Sequence, residues 1–157
     1  MANSYQPICV GLPKTSSQQL TNTSPSALTR SDGVATIATD IALVFTAAAT
    51  YGSYLSKVRL SPYATTAATA TTATVIRLYI SQQSAGATTA TNTWLIHEIP
   101  VASQTAAHST NGTFYIDVAI NMPIGAGLSL LVSQHAVAAA STGWQVTAFY
   151  GDFVATP

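Results

Sequence analysis

The stretch FYIDVAINM at residues 114–122 alternates without a break: Phe114, Ile116, Val118, Ile120 and Met122 are apolar, with Tyr115, Asp117, Ala119 and Asn121 between them. A period of two places the first set on one side of an extended backbone and the second on the other, as expected of a strand with one buried and one solvated face. Asn111-Gly112 before it suits a turn that needs positive φ, and residues 123–127, with Pro123, Gly125 and Gly127, supply the next turn. The same period then returns twice. Leu128, Leu130 and Val132 oppose Ser129, Ser133 and His135; Trp144, Val146, Ala148 and Tyr150 oppose Gln145 and Thr147.

Upstream, residues 33–39, 54–60, 74–81 and 94–101 read as further strands, rich in β-branched and aromatic side chains between turn signals. In VIRLYIS, Ile76, Leu78 and Ile80 share one face and Val75, Arg77 and Tyr79 the other. Residues 41–49, IALVFTAAA, fit a buried strand or a short helix by period; the surrounding strands favour strand. About eight short strands with no defensible helix specify an all-β chain, an antiparallel β-sandwich of jelly-roll type. An immunoglobulin-like sandwich is the alternative, but its Cys and Trp spacing is missing. Residues 1–32 have no sustained period and hold the polar run TSSQQLTNTSPSALTRSD, so they read as an extended N-terminal arm ordered by a neighbour if at all, ahead of a single sandwich domain at 33–157. The Ala/Thr tract within SPYATTAATATTATVIRLYI at 61–80 has no glycine, and its threonines stiffen χ1. It is therefore expected to be a connection inside that domain rather than a flexible linker, with Ala67 and Ala70 near a contact surface.

Only 6% of the residues are charged and the formal net charge is zero, against about 25% charged residues in an average soluble domain. Little repulsion is left to keep copies apart, so much of the surface is expected to be covered by other copies or another protein. No run of about 18 apolar residues is present for a membrane helix, and too few strands carry a lipid-facing apolar row for a membrane barrel. The start, MANSYQPICVGLPK, lacks the basic and apolar regions of a secretory signal, which points to a cytoplasmic origin and makes the sequons at Asn22 and Asn111 accidental.

Candidate chemistry is sparse. Cys9 is a single thiol with no nearby His, read as an ordinary packed residue. His97, His108 and His135 are scattered, and Glu98 points to the opposite strand face from His97, so no metal site or metal cofactor is expected. The five carboxylates, Asp32, Asp40, Glu98, Asp117 and Asp152, show no paired spacing for glycosidase chemistry; no nucleophile elbow or phosphate loop occurs, and no catalytic residue is assigned. Asp117 is expected to take a cross-strand partner. Lys57 and Arg59 share a strand face, and Arg77 could join them, yet three cations are a thin footprint for nucleic acid. Tyr51, Tyr54, Tyr63 or Tyr79 could form a stacking platform for a sugar or base, or cover edges and interfaces.

MPIGAGLSLLVSQHA at 122–136 and GWQVTAFYGDF at 143–153 resemble the C-terminal half of small virion proteins of tailed bacteriophages, in which a Pro and Gly turn feeds an L-x-L-x-V strand and a G-W-Q-V strand closes the domain. The N-terminal stretch and Ala/Thr-rich character are similar to capsid decoration (cement) proteins. That resemblance implies a non-enzymatic jelly-roll homotrimer on the virion surface, with the major capsid protein or another virion protein as partner and neither nucleic acid nor membrane. A tail, baseplate or head-fibre protein, or a carbohydrate-binding or receptor-binding module, is the alternative.

Overall fold

The computed structural model describes residues 9–65, 69–105 and 114–154. Eight strands form two antiparallel sheets of four, and among the described residues there is no helix. In chain order they are β1 (Cys9–Leu20), β2 (Ala42–Thr46), β3 (Ser53–Ala64), β4 (Thr74–Ser81), β5 (Thr93–Val101), β6 (Ile116–Ile124), β7 (Ser129–Gln134) and β8 (Thr142–Val154). The first sheet runs β1-β8-β3-β6 and the second β2-β7-β4-β5. First pairs with last and so on inward, β1 with β8, β2 with β7, β3 with β6 and β4 with β5, so the chain is one long hairpin folded across two layers.

The alternating positions meet between the layers as expected. Leu55, Val58, Leu60, Trp144, Val146 and Ala148 from the first sheet pack on Val44, Ile76, Leu78, Ile99, Leu130 and Val132 from the second. Ile116, Val118, Ile120 and Met122 of edge strand β6 are only half-buried against this core. Residues 41–49 resolve to strand β2, and residues 74–81 keep their expected bounds.

Two expectations are corrected. Residues 9–20, assigned to a free arm, form β1 and pair with β8 along the strand from Cys9↔Val154 to Leu20↔Trp144; Leu20 lies in the core. Residues 1–8 of that arm lie outside the described residues. Residues 33–39, expected as a strand, make only single bridges, Thr36↔Ala87 and Ile37↔Ile41. They belong instead to a cover, residues 21–41, laid on the outer face of the second sheet. There Leu28, Ile37 and Ile41 form a second core with Tyr79 and Leu131. β7 is buried at every position, including Ser129 and Ser133, which the two-period had placed toward solvent; the cover accounts for this at Leu131, which packs on Leu28, Ile37 and Ile41. The cover's backbone holds Gln134: its Nε2 donates to the carbonyls of Thr21 (2.6 Å) and Pro25 (2.8 Å), and Leu28 N–H donates to Gln134 O (2.9 Å), while the Ser129 hydroxyl meets that of Thr46 at 3.1 Å on β2.

The Ala/Thr tract lies between β3 of the first sheet and β4 of the second. Ala67 lies outside the described residues. Ala70 is exposed and bridges Thr105, while Thr71 is buried and tied to the strand exit: Thr71 N–H donates to Gln104 O at 2.8 Å and Gln104 N–H donates to Thr71 Oγ1 at 3.0 Å.

Candidate functional site

The outer face of the first sheet carries the densest group of charged and aromatic side chains. Register sets Arg59 opposite both Asp117 and Thr147, and Lys57 opposite both Ala119 and Phe149. Asp117 accepts from Lys57 Nζ (2.7 Å), Arg59 Nε (2.7 Å) and Arg59 Nη2 (2.8 Å), which bears out the cross-strand partner expected for it. The Arg59 guanidinium, then the Lys57 ammonium, hold the Asp117 carboxyl well below the usual carboxylate range. The Arg59 guanidinium carbon also sits 4.0 Å from the Tyr115 ring centroid, and Lys57 Nζ 4.9 Å from that of Phe149.

Beside this cluster lies a groove of about 400 Å³ lined by Pro13, Lys14, Thr15, Tyr54, Ser56, Lys57, Phe149, Tyr150 and Gly151. Its shape follows from the backbone. Pro13, Gly151 and Tyr54 are in register across β1, β8 and β3, so the middle strand contributes no side chain between two bulky neighbours. The register of β3 shifts between Leu55 and Lys57, and that of β1 between Val10 and Pro13. Such irregularities bend a strand and re-aim side chains. At one end Lys14 pairs with Asp152, whose carboxyl also accepts from Ser53 Oγ at 2.6 Å; Lys14, then Ser53, push its pKa down.

Arg77 does not join Lys57 and Arg59: β4 belongs to the other sheet. Its guanidinium is buried beneath the cover, where Nε donates to Glu98 (2.6 Å), Nη1 to the Leu28 carbonyl (2.8 Å) and Nη2 to His135 Nδ1 (3.3 Å). This is an anchor for residues 21–41. His97 stands exposed on β5 with Glu98 turned to the opposite face, and His108 lies outside the described residues. Asp40 accepts from Ser26 Oγ (2.8 Å) and the Thr36 N–H (3.1 Å), closing the cover's loop, and Asp32 pairs with Arg30.

Among the described residues no group of three His, Cys, Asp or Glu converges as a metal site would require. No hydrogen bond there links a Ser, Thr or Cys side chain to a His; the ring nitrogen of His135 is met by Arg77 instead. What the described residues of this face offer is ion pairing, hydrogen bonding and stacking. Of the four tyrosines offered as platforms, Tyr79 is buried under the cover, and burial raises its phenol pKa. The Tyr63 ring closes over Gly143, Tyr51 is exposed outside the groove, and Tyr54 lines the groove. Sequence reasoning missed Pro13, Lys14 and Thr15, because their strand is recruited by pairing with residues more than a hundred positions away. Gly151 inside an otherwise bulky strand was the one local signal. No protein-family model matches the chain, and no curated protein matches it.

Proposed function

We propose that the chain is a non-enzymatic structural protein of a tailed-phage virion, a capsid decoration protein that binds and stabilises the assembled head as a homotrimer. The observation that carries this reading is the disposition of charge. Every Lys and Arg is engaged by an acid of the same chain: Lys14 by Asp152, Arg30 by Asp32, Lys57 and Arg59 by Asp117, and Arg77 by Glu98. The remaining surface is dominated by short polar and apolar side chains, with Tyr51, Trp94, Leu95 and Tyr115 exposed. Such a surface suits close, uncharged contacts with identical copies and a shell lattice.

The strand order β1-β8-β3-β6 against β2-β7-β4-β5 supports reading the sandwich as a jelly roll, as the resemblance implies. The mechanism is mass action: a protein that binds only the assembled shell stabilises that state by RT ln(1 + [L]/Kd). The major capsid protein is the partner, and the virion the location. Self-neutralised cations leave too little free positive charge for the phosphate contacts that dominate nucleic-acid affinity.

Light scattering at high concentration tests the assembly: a trimer is expected and a stable monomer would overturn it. Ala70→Trp, at an exposed position, should weaken the trimer while leaving the melting temperature of the fold within a few degrees. Mass spectrometry of purified particles then tests membership. Many copies per particle fit a lattice coat; a few would move the protein to the tail or baseplate.

A further inference from the structure

We infer that the groove between β1, β3 and β8 is a binding site for an acidic saccharide, a pyranose ring bearing a carboxylate. This stands apart from the virion reading and needs neither the trimer nor the capsid.

The charge balance of the molecule supplies the sign. Two cations, Lys14 and Lys57, line the groove; Lys14 pairs with Asp152, and Lys57 shares Asp117 with Arg59, so the two ion-pair groups together hold three cations and two acids, one positive charge in surplus (3 − 2). The compensating negative charge is Asp40, which is held by neutral donors in the cover. The formally neutral chain is therefore positive at this site. Lys57 and Arg59 share one carboxylate, so an incoming anion can take part of the Lys57 ammonium without stripping Asp117 of its bidentate Arg59 partner.

The walls supply the shape. Pro13, Tyr54 and Phe149 are apolar surfaces facing a strip whose centre is Gly151, and the Tyr54 ring meets Phe153 in a T-shaped contact (centroids 6.5 Å apart) rather than in a stack. A pyranose presents a C–H face to such rings and a rim of hydroxyls, and Ser56 and Thr15 in the lining carry hydroxyls that can pair with that rim. A volume near 400 Å³ suits one or two sugar rings. A nucleotide, which would also stack and carry negative charge, brings a larger phosphate charge than a single surplus cation answers.

Chemical-shift titration of the isotope-labelled full chain, with glucuronate, with galacturonate and with neutral glucose, tests this. Saturable shifts are expected at Tyr54, Ser56, Lys57 and Gly151 with the two uronates, in the millimolar range, with at least tenfold weaker binding of glucose. Lys57→Met should erase the preference for the acidic sugar, and Tyr54→Ala should weaken all three at least tenfold. Dispersed spectra of both variants show that they fold; where one does not, raising the salt concentration on the wild type substitutes, and uronate affinity should fall while any glucose affinity stays. Shifts that never saturate, that map elsewhere, or that are equal for uronates and glucose would overturn the inference.

Discussion

Gly143 shows how much one residue can decide here. It precedes Trp144 in β8, at the point where β1 and β3 crowd in from both sides. A Cβ at this position would lie 2.2 Å from the Leu20 carbonyl oxygen and 2.7 Å from the Tyr63 ring. The first atom is backbone of a paired strand and cannot step aside. Gly143→Ala is therefore expected to destabilise by about 2 kcal/mol or more, at the upper end of overpacking costs, in urea unfolding followed by tryptophan fluorescence. The glycine of the GWQV stretch carried no conformational reason in the sequence, since its neighbours come from residues 20 and 63. Trp144 itself was readable: it is buried between the sheets, as its place in the alternating row required.

Among elements, β1 separates what was legible from what was not. β6, β7 and β8 could be read because their two-period is written in apolar residues, and β4 could be bounded to the residue. β1 has almost no such signature. Its last residue, Leu20, is buried, but Ser16 and Gln18 occupy the positions between, and Ser16 Oγ donates to the Val44 carbonyl across the layers. Polar side chains that bond to backbone can fill the margin of a core without leaving a hydrophobic trace. The cover hid the second sheet in the same way, with Arg77 and Gln134 buried through bonds to residues 21–28. Of the groove's lining, only Tyr54, as a stacking platform, and Lys57, on a basic strand face, were legible, because the opposite wall is β1. If β1 is a strand of the domain, a chain starting at residue 21 should lose its cooperative thermal transition, since the edge of β8 and the socket of Leu20 are both opened. A free arm would leave the melting temperature unchanged. Circular dichroism on the truncated and full chains distinguishes the two.

At the scale of the molecule, so few charges make the pH response simple to derive. Asp117, Asp152 and Asp32 all have carboxyl pKa values depressed in the folded state, by Arg59 with Lys57, by Lys14 with Ser53, and by Arg30 with the Val34 N–H respectively. A depressed folded pKa contributes stability that is complete above the unfolded carboxylate value, about 4, and is lost as the pH falls below it toward the folded value. These pairs are largely solvated, so each is worth little alone and salt screens it. The melting temperature should accordingly show no carboxylate-dependent change from about pH 5 upward and decline below about pH 4. The decline should be smaller in 1 M salt and shallower in Asp117→Asn, which removes the carboxyl shared by two cations. A decline that was the same in 1 M salt and in Asp117→Asn would overturn the assignment of the acid response to these ion pairs.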